Sequence, residues 1–299
     1  MIGRSTQSLG VRKRNSVRVI EIWLIGIVFI WLAGCNSGGG DPDRHTALNP
    51  DVPPVIEGPW YHPAVMVSWQ WQLFGEVNTR YAVELYDIDL FNTPQAIIDM
   101  LHAQGKRVIC YFSAGSYEAY RSDVGQFHAT DLGHAIDGFP DERWLDIRSE
   151  NVVRIMRRRL DLAQQKHCDG VEPDNVDGYS NDSGFSLTAN DQLAFNRLLA
   201  NEAHARGLAV ALKNDLEQIV ELVDYYDFSV NEQCHEFDEC GLLAPFIASG
   251  KPVLNVEYQG VLLHDPSART RMCEASTHME FSTLVLPMAL DDSFRLSCQ

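Results

Sequence analysis

Eight short apolar segments recur along the chain, and helical segments separate most of them. They span residues 65–69, 81–88, 107–112, 170–172, 208–212, 227–230, 253–256 and 283–286. Strands that alternate with helices form a parallel sheet, because each helix returns the chain to the edge from which the next strand starts. The pattern therefore predicts an α/β fold of one domain, a (β/α)8 TIM barrel. An open doubly wound sheet is the alternative, but no glycine-rich phosphate loop follows the first strand.

Local signals mark where two of the intervening helices begin. Thr93 and Pro94 predict a helix start, with Thr as the cap and Pro in the first turn. Thr188 followed by Asp191 predicts a capping box at another start, with Asp where Glu is usual. Between these helices, residues 113–148 form a longer insertion that fits neither a simple loop nor a single helix.

The N-terminus has the layout of a secretory signal, with basic residues before an apolar run from Ile22 to Leu32. The next residues complete a Leu-Ala-Gly-Cys sequence that resembles the bacterial lipoprotein box, in which Cys35 is acylated and becomes the mature N-terminus. An uncleaved transmembrane anchor is the alternative, but the run is short and Glu21 stands at its start. We expect a lipid-anchored protein of the cell envelope, and Asn36 weakly favours the outer membrane.

The chain therefore divides into three parts. Residues 1–34 are the predicted signal, and residues 35–56 are a predicted flexible tether that starts at acylated Cys35. The tether contains three consecutive glycines and few apolar residues, so it cannot bury a core. Residues 57–299 show no linker-like composition and form the predicted barrel domain. A monomer is the default expectation.

The charge balance is strongly acidic. The chain has 24 Lys and Arg against 41 Asp and Glu, a formal net charge of −17. Nucleic acid is excluded as a partner by this balance, because phosphate binding needs a basic surface. A cationic substrate would be attracted, although acidity that serves only solubility is the alternative explanation.

The chain has seven cysteines, and six remain when Cys35 is set aside. An even number suits disulfides in an oxidising compartment, although spacing alone does not determine how they pair. Metal binding has less support, because neither a Cys-x-x-Cys motif nor a pair of spaced histidines accompanies them. Three pairings are compatible with the predicted elements: Cys110 with Cys168, Cys234 with Cys240, and Cys273 with Cys298.

The residues that follow barrel strands share one face of a TIM barrel. Here they are mostly acids, amides and aromatics, which are the groups that bind sugar hydroxyls and stack on sugar rings. Any one of these residues alone is as often structural as functional. The hypothesis of a sugar-binding site therefore rests on their joint occurrence on one face. The candidate substrate contacts are Trp69, Asp87, Tyr111, Ser113, Glu172, Asn175, Lys213, Asn231, Glu257 and Tyr258.

Two further carboxylates that follow predicted strands suit the cleavage of a glycosidic bond. That reaction needs a protonated carboxyl for the leaving oxygen and an ionised carboxylate opposite to it. Asp174 and Glu232 follow the fourth and sixth predicted strands, and Lys213, between them in strand order, is placed to lower the pKa of one carboxyl. Glu172 and Glu257 are the rival acids.

Five segments resemble, in order, motifs of glycoside hydrolase family 114, the endo-α-1,4-polygalactosaminidases. The resemblance covers roughly residues 60–258, and little is familiar beyond residue 259. The segments are Val108–Glu118, Asp146–Arg148, Asp169–Asp177, Leu212–Asp215 and Asn231–Cys234.

The resemblance implies a TIM barrel that hydrolyses α-1,4-linked galactosamine in cationic exopolysaccharides, without a metal or an organic cofactor. The family's catalytic pair falls on Asp174 and Glu232, and both motifs are intact. Our hypothesis makes Asp174 the nucleophile and Glu232 the general acid and base, a retaining scheme in which reversed roles stay open. A galactosamine-containing polysaccharide is the expected partner.

Three other functions remain as alternatives. A carbohydrate-binding lipoprotein with an inactive barrel would keep the aromatics but lose one catalytic acid, whereas this sequence keeps both. A glycosidase that acts on a neutral α-linked galactan has no feature that excludes it. A deacetylase would need a metal-binding set of Asp and His, which the sequence lacks.

Overall fold

The computed structural model describes residues 48–299. The predicted signal (residues 1–34), the predicted lipidation site Cys35 and the predicted tether as far as residue 47 lie outside the described part of the chain. Within residues 48–299, no helix has the length and apolar character that crossing a membrane requires.

Twelve strands and seven helices make up the described chain. The strands are β1 (Trp69–Gln72), β2 (Leu85–Asp89), β3 (Arg107–Ser113), β4 (Ser116–Glu118), β5 (Leu132–Ile136), β6 (Phe139–Leu145), β7 (Gly170–Asp174), β8 (Ala209–Lys213), β9 (Phe228–Glu232), β10 (Val253–Glu257), β11 (Ser282–Val285) and β12 (Leu296–Ser297). The helices are α1 (Gln95–Ala103), α2 (Glu150–Gln165), α3 (Ala189–His204), α4 (Ile219–Leu222), α5 (Ala244–Ala248), α6 (Gly260–His264) and α7 (Pro266–His278).

The main sheet confirms the predicted α/β barrel. Its order is β1-β2-β3-β7-β8-β9-β10-β11-β12. The first eight of these strands pair in parallel, and only β12 runs antiparallel, against β11. All eight predicted strands are present, although β1 and β2 begin about four residues later than the apolar segments predict. The structure is a single curled α/β domain of the TIM-barrel type.

The helix starts are predicted correctly in one case and wrongly in the other. Thr188 caps α3, and its side chain accepts a hydrogen bond from the backbone N–H of Asp191 in a complete capping box. Thr93 does not cap α1: the capping position is Pro94, which has an extended backbone (ψ 145°) and makes no side-chain capping bond. Because Pro94 is itself extended rather than helical, the first helical residue is Gln95, one position later than the sequence predicts.

The insertion, residues 113–148, forms a separate antiparallel sheet in the order β4-β6-β5. The buried Arg121 joins this sheet to the barrel. One guanidinium nitrogen lies 2.6 Å from a carboxylate oxygen of Asp89 at the end of β2, and another lies 2.7 Å from Glu118 in β4. The insertion is therefore fixed over the C-terminal ends of the barrel strands.

The core has two layers because side chains alternate across each strand. Alternate residues such as Leu85, Ile109 and Val230 pack together inside the barrel. The residues between them, such as Ile88 and Val108, pack outward against the helices. This parity decides which residues at the strand ends point into the barrel.

The C-terminal segment lies at the seam between β1 and β11. The indole N–H of Trp69 donates to the carbonyl of Ser282 at 2.8 Å, and Arg295 donates to the carbonyl of Trp69 at 2.8 Å. The backbone N–H of Leu73 donates to the carbonyl of Leu290 at 3.0 Å. These bonds connect the first and last parallel strands through the end of the chain.

Three disulfides connect all six cysteines of the described chain. They join Cys110 to Cys168, Cys234 to Cys240, and Cys273 to Cys298. These are the three pairings that are compatible with the predicted elements, although the sequence left the connectivity open. The last bridge ties β12 at the seam to α7.

The end of the predicted tether lies along α3. The backbone N–H of Val55 donates to the side chain of Asn201 at 2.9 Å, and Asn201 donates to the carbonyl of Pro53 at 2.9 Å. The hydroxyl of Tyr225 donates to the carbonyl of Val52 at 2.5 Å. The residues from 52 to 55 are therefore bound to the domain.

Candidate active site

A cavity of about 860 Å³ opens at the C-terminal ends of the barrel strands. Side chains of the barrel and of the insertion line it together. Among the lining residues are Trp71, Tyr111, Glu118, Tyr120, Glu142, Trp144, Asp174, Asn175, Asp177, Lys213, Asn214, Glu232, Tyr258 and Asp291. The lining thus combines carboxylates, amides and aromatic rings around one buried lysine.

Lys213, at the end of β8, lies between the two predicted catalytic carboxylates. Its Nζ is 3.0 Å from Oδ1 of Asp174 and 3.0 Å from Oε2 of Glu232. The two carboxylate oxygens are therefore no more than 6.0 Å apart, which is twice 3.0 Å. Burial lowers the pKa of Lys213, but the nearby carboxylates of Asp174 and Glu232 outweigh this effect and raise the pKa well above its usual value.

Asp174 accepts hydrogen bonds from three directions. Besides Lys213, the hydroxyl of Tyr111 donates to Oδ2 at 2.8 Å, and the backbone N–H of Asn175 donates to Oδ1 at 2.7 Å. Asn175 adopts a positive φ of 58°, a conformation in which asparagine is common, and this turns the chain away from β7. The carboxylate is therefore fixed at the cavity wall.

Glu232, at the end of β9, is held by Lys213 and by Tyr258. The hydroxyl of Tyr258 donates to Oε1 at 2.5 Å. The backbone N–H of Glu232 donates to the side chain of Asn214 at 3.0 Å, which couples its position to the end of β8. Burial raises the pKa of Tyr258, and the adjacent carboxylate of Glu232 raises it further, so the phenol stays a hydrogen-bond donor.

A pair of carboxyl groups lies deeper in the barrel, beneath Lys213. Asp87 and Glu172 are both fully buried, and none of their carboxyl oxygens has a hydrogen-bond partner within residues 48–299. Glu172 lies 3.6 Å from Nζ of Lys213. Burial raises the pKa of Asp87 to about 7, and burial together with Asp87 raises the pKa of Glu172 well above its usual range.

Other candidates from the sequence support the site without lining its centre. Ser113 is fully buried, and it bonds to Ser116 at 2.6 Å and accepts from Asn175 at 2.9 Å, so it shapes the turn beside Asp174. Trp69 is fully buried in the barrel core. Trp71 is the tryptophan of β1 that lines the cavity, with Nζ of Lys213 5.0 Å from its ring centre.

Asn231 and Glu257 belong to the outer layer of the sheet. The side chain of Asn231 donates to Asn255 at 3.2 Å, and Asn255 donates to Glu257 at 3.0 Å. Glu257 also accepts from the backbone of His235 at 2.9 Å. Glu257 does not line the main cavity, because strand parity turns it toward the loop after β9 rather than into the barrel.

The sequence analysis missed the contribution of the insertion. Glu118, Tyr120, Glu142 and Trp144 all line the cavity. Burial raises the pKa of Glu142, and the carboxylate of Glu118 raises it further. Glu118 ends the motif segment Val108–Glu118, whereas Tyr120, Glu142 and Trp144 lie outside the motif segments and follow no barrel strand in a recognisable pattern.

Comparisons with known proteins agree with this geometry. The sequence profile of glycoside-hydrolase family GH114 matches residues 52–299. A crystal structure of Ega3 from Aspergillus fumigatus in complex with galactosamine is 41% identical, with a TM-score of 0.77, and the match covers 82% of this chain and 100% of that chain.

The glycoside hydrolase domain of PelA from Pseudomonas aeruginosa is 14% identical, with a TM-score of 0.62, over 77% of this chain and 98% of that chain, and it shows the fold alone. No curated protein matches the sequence. The family profile covers the barrel, the insertion and the seam, and the chain therefore belongs to glycoside-hydrolase family GH114.

Proposed function

We propose that this protein is an endo-acting glycoside hydrolase that cleaves α-1,4-galactosaminidic bonds in galactosamine-rich exopolysaccharides. One observation carries the proposal: the carboxylates of Asp174 and Glu232 both lie 3.0 Å from Nζ of Lys213. The cavity around them is lined by further carboxylates. The similarity to Ega3, which was crystallised with galactosamine, supports galactosamine as the sugar that is recognised. Asp174 and Glu232 are the proposed catalytic pair.

The spacing of the pair supports a retaining mechanism. Retaining enzymes hold their carboxyl groups about 5–5.5 Å apart and inverting enzymes about 6.5–9.5 Å apart. The oxygens of Asp174 and Glu232 that bind Nζ of Lys213 lie no more than 6.0 Å apart, which is below the range for inverting enzymes.

The hydrogen bonds at the two carboxylates support their roles. Asp174, with three donors, is the more rigid and suits the nucleophile, whereas Glu232 is the general acid and base. An oxygen of Asp174 bonds to the anomeric carbon while Glu232 gives its proton to the departing glycosidic oxygen. Glu232 then takes a proton from water, whose oxygen displaces Asp174 and releases the sugar.

The residues that line the main cavity support a cationic polymer as the substrate. Carboxylates of the insertion and the barrel, including Glu142 and Asp177, attract protonated amino groups. Aromatic rings such as Trp144 offer faces for sugar rings. A volume of about 860 Å³ is large enough for several sugar units, which supports cleavage within a chain rather than at its end.

The test is mass spectrometry of the products after the purified protein is incubated with partly deacetylated galactosamine polymer. We expect short galactosamine oligomers from the wild type and from Glu274→Gln, a control on the exposed face of α7. Asp174→Asn and Glu232→Gln should each release at least about a thousandfold less product, because each removes an essential group. Proton NMR of the first product should show the α-anomer.

Intact polymer with the wild type would contradict the proposal. Cleavage of a neutral α-galactan would then identify the alternative glycosidase, and polymer binding without cleavage would identify a binding protein. Near-normal turnover by either active-site variant would overturn the catalytic pair.

We also propose that the protein is anchored to the cell envelope through lipid on Cys35. The lipoprotein-like box and the three disulfides, which suit an oxidising compartment, support this location. Labelling with radioactive palmitate should mark the wild type and fail with Cys35→Ser. Equal labelling of both would contradict the anchor.

A further inference from the structure

Two buried carboxyl groups, those of Asp87 and Glu172, have no part in the mechanism described above. Neither has any exposed surface, and neither lines the catalytic cavity. Asp87 lies two residues after Leu85, which packs inside the barrel, and Glu172 lies 3.6 Å from Nζ of Lys213. Both side chains therefore point into the barrel, below the lysine that bridges the catalytic carboxylates.

The surroundings of these two carboxyl groups favour their neutral form. None of their four oxygens has a hydrogen-bond partner within residues 48–299. Other inward-facing residues, such as Ile109 and Ala211, are apolar. An ionised carboxylate is unstable in such a place, because no donor replaces the water that it loses on burial. Burial accordingly raises the pKa of Asp87 to about 7 and the pKa of Glu172 well above its usual value.

The cation beside this pair is Lys213. Its Nζ lies 3.0 Å from an oxygen of Asp174 and 3.0 Å from an oxygen of Glu232, but 3.6 Å from Oε1 of Glu172. The ammonium group is thus bonded to the catalytic carboxylates and only near the deeper one. A neutral Glu172 competes weakly for this ammonium group, whereas a negative charge on the pair attracts it as strongly as the catalytic carboxylates do.

The other titratable groups around the pair and its lysine supply no second positive charge. They are carboxyl groups and phenols, namely Tyr111 in β3, Asp174 and Asp177 at the end of β7, Glu232 at the end of β9 and Tyr258 after β10. From β1 the pair is approached by Trp71, whose indole does not titrate. The charge of the pair therefore acts mainly on Lys213.

We propose that Asp87 and Glu172 are positioning residues, which leave Lys213 on the catalytic carboxylates while both are protonated and draw it away when the pair loses a proton to solvent. This inference rests on the proposed function and adds a pH-dependent control of the same site. When Lys213 moves down, Asp174 and Glu232 lose the contact that holds them together. Residues that do not touch the substrate thus restrict cleavage to acidic and neutral conditions.

The first test compares the pH dependence of kcat on one deacetylated polymer. Wild-type kcat should fall about tenfold between about pH 6 and about pH 8, because the pair loses a proton near pH 7. The double variant Asp87→Asn/Glu172→Gln cannot ionise, so its fall should be at least about threefold smaller. Any pH dependence of the polymer itself is common to both proteins and cancels in the comparison.

The matched control is Asp224→Asn/Glu274→Gln, which removes the same two charges at exposed positions and should fall as the wild type does. Circular dichroism checks that both double variants fold. An equal fall in the wild type and in Asp87→Asn/Glu172→Gln would overturn the positioning role, because the loss would then belong to other groups.

The second test needs neither a variant nor a substrate. Crystal structures of the wild-type protein at the same two pH values should show Nζ of Lys213 moving from Asp174 and Glu232 toward Glu172 at the higher pH, so that the distance of 3.6 Å shortens to a hydrogen bond. Unchanged contacts of Lys213 would overturn the proposal. Movement of the lysine in a protein that cleaves no galactosamine polymer at any pH would instead overturn the proposed function.

Discussion

At the scale of single residues, the site depends on Lys213, a lysine whose charged form is disfavoured by burial. Lys213 is 3% exposed, and its charge is compensated by Asp174, Glu232 and Glu172. A buried charge is stable only when such partners surround it, so the lysine and the carboxylates position one another. The shared Nζ brings together the carboxylates of Asp174 and Glu232, which are 58 positions apart in sequence.

Lys213→Met should lower kcat/KM at least about a hundredfold, because the two catalytic carboxylates would repel each other without the ammonium group. The methionine keeps most of the volume, so the circular dichroism spectrum should not change. Arg158→Met, on the exposed face of α2, is the control and should keep full activity. Activity within a few-fold of the wild type would show that the lysine is dispensable.

The raised pKa of the buried Asp87 should appear in the pH dependence of stability. Asp87 has a pKa of about 7 when folded against 3.8 as an ordinary carboxyl, so the folded state binds the proton more tightly. The stability from this group is complete below pH 3.8 and is lost as the pH rises to about 7.

Asp87→Asn, whose amide does not titrate, should therefore lose less stability than the wild type as the pH rises through this window. The measurement is Tm at several pH values, and the difference between variant and wild type should increase with pH by the equivalent of a few kcal/mol, to order of magnitude. Asp224→Asn should follow the wild-type curve. A constant difference between Asp87→Asn and the wild type would show that Asp87 does not hold the proton.

At the scale of elements, the covalent links differ in how much chain they enclose. The bridges separate their cysteines by 58 residues (Cys110–Cys168), 25 residues (Cys273–Cys298) and 6 residues (Cys234–Cys240). A longer closed loop removes more freedom from the unfolded chain. The first links β3 to the loop before β7, and the second holds the seam of the barrel.

Replacing both cysteines of a bridge with alanine should lower the free energy of unfolding by about 4 kcal/mol for Cys110–Cys168, about 3.5 for Cys273–Cys298 and about 2 for Cys234–Cys240. Chemical denaturation gives these values. Hydrogen exchange should accelerate in β12 only when the Cys273–Cys298 bridge is removed. The reverse order of stabilities would mean that strain in the folded state outweighs loop entropy.

At the scale of the whole molecule, a curled parallel sheet supports an acidic active-site face. The net charge of −17 would attract a polycation over distances beyond direct contact. Exposed charges are screened by salt, whereas the buried ion pairs at Lys213 are screened much less. Substrate capture and the chemical step should therefore respond differently to ionic strength.

Raising the salt concentration from roughly 0.05 to 0.5 M should lower kcat/KM for the deacetylated polymer about tenfold, mainly through KM. The fully acetylated polymer carries no charge and is the control, with no comparable dependence expected. Steady-state kinetics at each salt concentration measure the effect. If kcat/KM for both polymers depended on salt in the same way, electrostatic attraction would not contribute to specificity.

Much of the architecture follows from local sequence. The alternation of apolar runs predicts the strands, and Thr188 with Asp191 predicts the start of α3, because both signals act over a few neighbouring residues. Thr93 is not the cap because Pro94 is itself extended, so α1 begins one residue later than predicted. The sheet of the insertion could not be predicted from local sequence, because it is stabilised by contacts with the barrel, such as the ion pair of Arg121 with Asp89.

The sequence by itself determined the barrel, the family and the segments that contain the proposed catalytic pair, since these depend on periodicity and motif. Only the tertiary structure decided which strand-end side chains share the site. Glu257 faces outward while Asp87 and Glu172 meet beneath Lys213, because strand parity and register set the direction of each side chain. It also brought the acids of the insertion to the cavity, since contacts between distant segments form only when the whole sheet curls.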